Sequence, residues 1–94
     1  MFNLMIILSS AINSEPIDSN NYKIAKYIIE HIHELEDITL TELAKKCYVS
    51  NSSISRFCRD IGFRDFNTLK IQVARFASES RYAKEKFQFK PFND

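Results

Sequence analysis

Five side chains that can hydrogen-bond to nucleobases or phosphates recur on one face of a short predicted helix. The stretch YVSNSSISRFCRDIGF covers residues 48–63, and its polar helical face consists of Asn51, Ser52, Ser55, Arg56 and Arg59. Asparagine and serine donate and accept hydrogen bonds, and arginine pairs bidentately with guanine or contacts a phosphate. The free amides and the dipole at a helix N-terminus favour an anion, and small side chains there allow close approach. These residue types at this spacing predict a nucleic-acid-binding surface.

The opposite face of this helix is apolar, which explains how a stretch rich in serine and asparagine, both poor helix formers, can be helical. Its apolar positions follow the three- and four-residue spacing of a buried helix face and are Ile54, Phe57, Cys58 and Ile61. Ser50 is a natural N-cap. Gly62, the only glycine of the chain, suits the left-handed conformation that is wanted just past a helix end.

A second short helix precedes this one at the distance that a helix-turn-helix requires. Thr39 and Glu42 form an S/T-x-x-E capping box that predicts its start. Its inner face consists of Leu40, Leu43, Ala44 and Cys47. Roughly three residues, 48–50, separate the two helices, which is typical of a helix-turn-helix. The same spacing also occurs in ordinary helical bundles, where serines near a helix start are only caps. The second helix of such a motif lies in the major groove with its N-terminal residues at base edges.

The basic residues of the chain concentrate where this motif begins. Residues 1–40 have a net charge of −4, residues 41–64 of +3 and residues 65–94 of +2. Such asymmetry indicates an anionic partner for the middle of the chain, although ordinary solvated helix faces also account for it. The predicted phosphate contacts are Ser50, Lys45, Lys46, Arg64 and Lys70.

The rest of the chain predicts an all-α fold, a five-helix bundle that contains a homeodomain-like helix-turn-helix. One glycine and two prolines in 94 residues argue against sandwiches and barrels. Helices are expected over about 2–12, 20–35, 39–47, 50–61 and 66–80. The first is apolar on more than one side, so it packs either on the domain or on a second subunit, and both alternatives remain open.

The predicted domain comprises residues 1–80, and residues 81–94 form a tail or the start of a linker. In the tail, Phe87 and Phe89 alternate with polar residues, which is a weak strand signal, and Pro91 would end such a strand.

Two histidines and two cysteines invite a metal or an enzymatic interpretation, which their spacing does not favour. His31 and His33 stand two residues apart on a predicted helix and therefore point to different faces. Cys47 and Cys58 occupy apolar helix positions and lack C-x-x-C spacing, and the absence of a disulfide framework fits a reducing cytoplasm. Without a P-loop, a Rossmann glycine pattern or a nucleophile elbow, we expect no metal, no cofactor and no enzymatic activity.

The segment ITLTELAKKCYVSNSSISRFCRDIGFRDFNTLKIQVARF, residues 38–76, resembles the N-terminal domain of RpiR-type bacterial transcription regulators. The resemblance is densest in VSNSSISRFCRDIGF and the following DFNTLK, and YKIAKYIIEH resembles that family's second helix. Together these segments cover roughly residues 2–78. The resemblance implies a five-helix DNA-binding domain. In full-length members it implies a following sugar isomerase-like (SIS) domain that senses a phosphosugar and assists dimerisation.

The chain departs from the family pattern at three places. Tyr48 stands in the turn where many helix-turn-helix proteins have glycine, which predicts a wider turn. Asp65 replaces a residue that is often small, without consequence because aspartate caps helices well. The chain stops at Asp94, so a phosphosugar effector is expected only if the full-length protein has a SIS domain.

The sequence thus predicts the DNA-binding domain of a sugar-responsive regulator in the bacterial cytoplasm, at the nucleoid. It is expected to bind a double-stranded DNA operator as a homodimer. The competing hypothesis is a helical protein-interaction module that uses the first helix and the aromatic tail and does not bind DNA. The apolar residues 1–14 lack a basic n-region and are too short to span a bilayer, so neither secretion nor a membrane is expected.

Overall fold

Five α-helices and one short 3-10 helix make up the described part of the chain. The computed structural model describes residues 3–87, with the side chains of residues 3–79. The helices are α1 (Leu4–Ser14), α2 (Asn20–Glu30), a 3-10 helix (Ile32–Glu34), α3 (Leu40–Cys47), α4 (Asn51–Asp60) and α5 (Phe66–Phe87). Residues 3–87 contain no strand. The prediction of an all-α bundle with a helix-turn-helix is confirmed.

Each α-helix begins with the same local device. A side-chain oxygen of the N-cap accepts a hydrogen bond from the backbone N–H three residues on, which satisfies one of the donors that a helix start leaves unpaired. The five N-caps are Asn3, Ser19, Thr39, Ser50 and Asp65. Because such caps depend on neighbouring residues, the sequence alone indicated three of them, Thr39, Ser50 and Asp65.

The core is aliphatic and aromatic, and it holds α3 and α4 against α2 and α5. Phe57 and Ile54 of α4 are fully buried, as is Ile24 of α2. Among the described side chains no polar or charged residue is buried. The bundle therefore holds its motif by apolar packing, while polar groups remain available at the surface.

α1 packs within the domain, mainly against α2 and also against α5. Leu4, Leu8 and Ala11 supply its buried face. This confirms the first of the two alternatives for α1. Ile6 remains 66% exposed on its outer face, and a subunit contact there stays a prediction.

Two helix ends differ from the sequence expectation. α2 ends at Glu30, because His31 leaves the helical conformation, stacks its ring on Tyr27 at 4.0 Å and hydrogen-bonds the Tyr27 carbonyl oxygen through Nδ1 at 2.9 Å. α5 continues to Phe87 instead of fading near residue 80. The weak strand signal at Phe87 corresponds to the end of α5, since the good helix formers of residues 83–86 outweigh two alternating aromatics. Phe89 and Pro91 lie outside the described residues.

Candidate nucleic-acid interface

The turn between α3 and α4 is short because Tyr48 takes the conformation that glycine usually supplies. Tyr48 has φ 60° and ψ 42°, in the left-handed region. Its N–H donates to the carbonyl of Lys45 at 3.2 Å, and the N–H of Val49 donates to the carbonyl of Ala44 at 3.0 Å. These two bonds close the end of α3 in a Schellman motif. Only residues 48–50 separate the helices, so the wider turn expected at Tyr48 is wrong.

The end of α4 repeats the same arrangement with glycine. Gly62 has φ 102°, and its N–H donates to the carbonyl of Arg59 at 3.1 Å. The N–H of Phe63 donates to the carbonyl of Cys58 at 2.8 Å, and the Phe63 ring is buried. α4 is therefore fixed at both ends, by the Ser50 cap and by this second Schellman motif.

α4 has one buried and one exposed face, as predicted. At 3.6 residues per turn, Ser52, Arg56 and Arg59 project within roughly 60° of one another, opposite the buried stripe. All three are exposed. Their side chains make no hydrogen bond or ion pair with any other side chain in residues 3–79. These groups are therefore available to a partner.

One flank of this face touches α3 and α5. Asn51 Nδ2 donates to Thr41 Oγ1 of α3 at 3.2 Å. Ser55 is half-buried and opens on a groove of about 400 Å³. The other residues that line this groove are Thr39, Leu40, Asp65, Phe66, Asn67 and Lys70. Ser55 thus lies deeper than Ser52, beside polar groups from two further helices.

The other flank is held by the start of α2. Asn20 Nδ2 donates to Ser53 Oγ at 3.1 Å, and Ser53 Oγ shares a hydrogen bond of 3.0 Å with Ser50 Oγ. Asn21 Nδ2 donates to Asp60 Oδ2 at 3.0 Å, near the other end of α4. The sequence analysis missed Asn20, Asn21, Thr41 and Asn67. The first two lie 33 and 39 residues from their partners, and only packing reveals them.

The predicted phosphate contacts lie on three elements around α4. Lys45 and Lys46 are exposed in the last turn of α3, and Arg64 is exposed in the loop before α5. Lys70 of α5 is half-buried and lines the groove beside Ser55. Ser50 is exposed and occupied as the cap of α4. Lys70 thus lies close to the polar face of α4. Contact of any of these groups with DNA stays a prediction.

Two carboxylates near this surface are fixed as helix caps. The pKa of Glu42 is lowered chiefly because the backbone N–H of Thr39 donates to its carboxylate at 2.9 Å, and the charges of Lys46 and Lys70 lower it further. The pKa of Asp65 is lowered because the Thr68 N–H donates to it at 2.9 Å. Both groups are thus negative at neutral pH and partly neutralised locally, which limits their repulsion of an approaching phosphate.

Neither cysteine has the properties of a reactive or metal-binding thiol. Both are buried, and burial raises the pKa of each to about 11, so they stay protonated at neutral pH. Within residues 3–79 no three His, Cys, Asp or Glu side chains cluster so that they could hold a metal ion. None of the described helices combines the length and the hydropathy that crossing a membrane requires.

Comparison with known proteins decides the family. The model of the helix-turn-helix domain of the rpiR family matches residues 5–80. The chain belongs to this family. The fold and the resemblance inferred from sequence are both confirmed.

Individual relatives agree with this rpiR-family assignment. The chain is 48% identical over 52 residues to an uncharacterised HTH-type transcriptional regulator of Caldanaerobacter subterraneus subsp. tengcongensis, covering 55% of this chain and 18% of that protein. It is 34% identical over 55 residues to the HTH-type transcriptional regulator GlvR of Bacillus subtilis, covering 58% and 22%. Both relatives carry the name of HTH-type transcriptional regulators.

A solved structure shows the same fold. The Vibrio vulnificus NanR protein, complexed with ManNAc-6P, superimposes with a TM-score of 0.74 at 27% identity. The match covers 82% of this rpiR-family chain and 28% of the NanR chain. The chain thus spans well under a third of the length of each of these three proteins.

Proposed function

We propose that this rpiR-family domain binds double-stranded DNA sequence-specifically, with α4 in the major groove. The predicted base or groove contacts are Asn51, Ser52, Ser55, Arg56 and Arg59. The observation that carries the proposal is the exposed face of α4, whose Ser52, Arg56 and Arg59 side chains have no partner side chain within residues 3–79. Because α4 is capped and packed, its backbone is already ordered before binding, and only the side chains must be immobilised.

Phosphate contacts would fix the register of the domain on the duplex without reading its sequence. The proposed contacts are Ser50, Lys45, Lys46, Arg64 and Lys70. Ser50 caps α4, and the four basic residues lie on α3, the α4–α5 loop and α5, next to the helix that would enter the groove. We assign no catalytic step to this domain.

We also propose that the full-length protein is a cytoplasmic homodimeric regulator of sugar metabolism. A two-fold dimer would place two α4 helices about 34–36 Å apart, one turn of duplex, on a roughly palindromic operator. The solved NanR relative is complexed with ManNAc-6P, which supports a phosphosugar as effector if the full-length protein carries a SIS domain. The exposed Ile6 on α1 supports a subunit contact on that helix.

Selection of bound sequences from random duplex DNA tests the proposal. We expect enrichment of a short half-site, and for a dimer two inverted half-sites one duplex turn apart. A single half-site would support DNA binding and contradict dimerisation of these 94 residues. Absence of enrichment, together with no binding to any duplex at low salt, would favour a helical protein-interaction module centred on α1.

A further inference from the structure

The hydrogen bond between Asn51 and Thr41 joins the two helices of the helix-turn-helix at the edge of the proposed interface. Asn51 is the first residue of α4, and Thr41 lies in the first turn of α3. Asn51 Nδ2 donates to Thr41 Oγ1 at 3.2 Å. Sequence reasoning included Asn51 among the base contacts and gave Thr41 no role.

This bond contributes little to holding the fold together. Both residues are exposed, so water would replace the hydrogen bond at small net cost if either partner were removed. The fold around them is secured independently, by the Thr39–Glu42 capping box, by the Ser50 cap and by the buried faces of α3 and α4. The consequence of the bond is therefore to restrict where the Asn51 side chain lies, and in the structure its Nδ2 faces Thr41 while Oδ1 is left without this partner.

We propose that Thr41 is a positioning residue that orients Asn51 to recognise adenine. The inference rests on the proposed function, since it requires α4 to lie in the major groove. A primary amide has one acceptor oxygen and two N–H donors. Thr41 occupies one donor and leaves the Oδ1 acceptor and the second N–H. This pair complements adenine, which presents an N6 donor and an N7 acceptor in the major groove.

The orientation matters because an asparagine with a reversed amide reads a different pattern. Two outward N–H groups would face acceptors, as on guanine, whereas one acceptor and one donor match adenine. An amide held beforehand also loses less side-chain freedom when it binds. Thr41 therefore affects which base is preferred at one position as well as the affinity.

A specificity measurement on four variants of the full 94-residue chain tests this role. The base pair nearest Asn51 is first identified as the position at which Asn51→Ala loses its base preference. Affinities are then measured for the selected duplex and for the three duplexes that carry another base pair at that position. We expect Asn51→Ala to lower the preference for adenine there by about fivefold or more. Thr41→Val, which keeps the shape and removes the hydroxyl, should lower it by at least about threefold. Thr41→Ser should retain it.

The double variant separates positioning from direct contact. If Thr41 acts through Asn51, adding Thr41→Val to Asn51→Ala should change nothing further at that base pair. Thermal unfolding of all variants should stay close to that of the original chain, which excludes a general loss of structure. Unchanged adenine preference in Thr41→Val, additive losses in the double variant, or a preference at this position for a base other than adenine would each overturn the inference while leaving DNA binding intact. Loss of all duplex binding by the original chain would overturn the proposed function as well.

Discussion

Arg56 and Arg59 share the exposed face of α4 but stand at different distances from its N-terminus. At 1.5 Å per residue, Arg56 lies roughly 7.5 Å and Arg59 roughly 12 Å along the axis from Asn51. Because the N-terminal half of a recognition helix approaches the base edges, Arg56 is the better placed of the two to reach a base. Arg59 is better placed for a phosphate at the rim of the groove.

Arg56→Ala should therefore cost about 1–3 kcal/mol of binding free energy and flatten the preference at one base pair. Affinity is measured for the selected duplex and for variants of each base pair. Arg75→Ala is the matched control, since Arg75 is exposed on α5 and lies about 12 Å along that helix from Asn67. Equal losses on selected and random duplexes would show that Arg56 contacts a phosphate.

The two cysteine thiols provide a test of the described burial that does not involve DNA. Because burial raises the pKa of Cys47 and Cys58 to about 11, the thiolate, which is the reactive form, is scarce in the folded chain at pH 8. Iodoacetamide should therefore modify neither cysteine in the native protein and both in denaturant, as measured by mass spectrometry. Rapid labelling of either thiol in the native chain would contradict the burial described for them.

Two left-handed residues delimit α4, and they reach that conformation at different cost. Glycine has no Cβ penalty there, whereas an L-residue such as Tyr48 carries roughly 1–2 kcal/mol of strain. Tyr48 is also 89% exposed, so packing does little to offset this strain. The turn before α4 is therefore less favourable locally than the turn after it.

Gly62→Ala should destabilise the chain by about 1 kcal/mol or more, measured by urea unfolding. A Cβ at Gly62 would meet no atom within 4 Å, so the cost comes from the φ of 102° and not from a clash. Tyr48→Gly is the reciprocal variant and should change stability by less than about 1 kcal/mol, because relief of strain offsets the greater freedom of glycine in the unfolded chain. Equal stability of Gly62→Ala and the original chain would mean that the end of α4 is not fixed as described.

At the scale of elements, sequence reasoning succeeded where the determinants are local. The caps at Thr39, Ser50 and Asp65 act over three residues, so their identities alone indicate the starts of three helices. The buried face of α4 follows from periodicity. The end of α2 was missed because the contact of His31 with Tyr27 has no periodic signature.

In the candidate site, too, the sequence indicated the local features and missed the contacts between helices. The exposed residues of α4 could be identified by removing its apolar positions from the pattern. The hydrogen bonds of Asn51 to Thr41 and of Asn20 to Ser53 could not, since they depend on how α3 and α2 cross α4. Residues 10 and 33 positions apart become neighbours only in the packed bundle.

For the molecule as a whole, the uneven charge distribution matters more than the net charge of +1. The acidic segment 1–40 contains α1 and α2, and the basic segment 41–64 contains most of α3 and all of α4. Counterion release makes DNA affinity fall with salt in proportion to the number of neutralised phosphates.

Neutralising Lys45, Lys46, Arg64 or Lys70 should lower the slope of log affinity against log salt by about one each. The slope is measured on random duplex DNA, where sequence reading does not contribute. Lys26→Ala is the control, because Lys26 lies on α2 and pairs with Glu30 at 3.6 Å. If all four substitutions left the slope unchanged, the proposed docking orientation would be wrong.

The most direct test of DNA binding through α4 is to map the bound duplex on the folded chain. Amide resonances of the isotopically labelled 11.0-kDa chain are followed while the selected duplex is added. We expect the largest shifts in α4, at both ends of α3 and in the first turn of α5, with α1 little affected. Shifts confined to α1, or none at low salt, would contradict the claim that α4 is the DNA-reading helix.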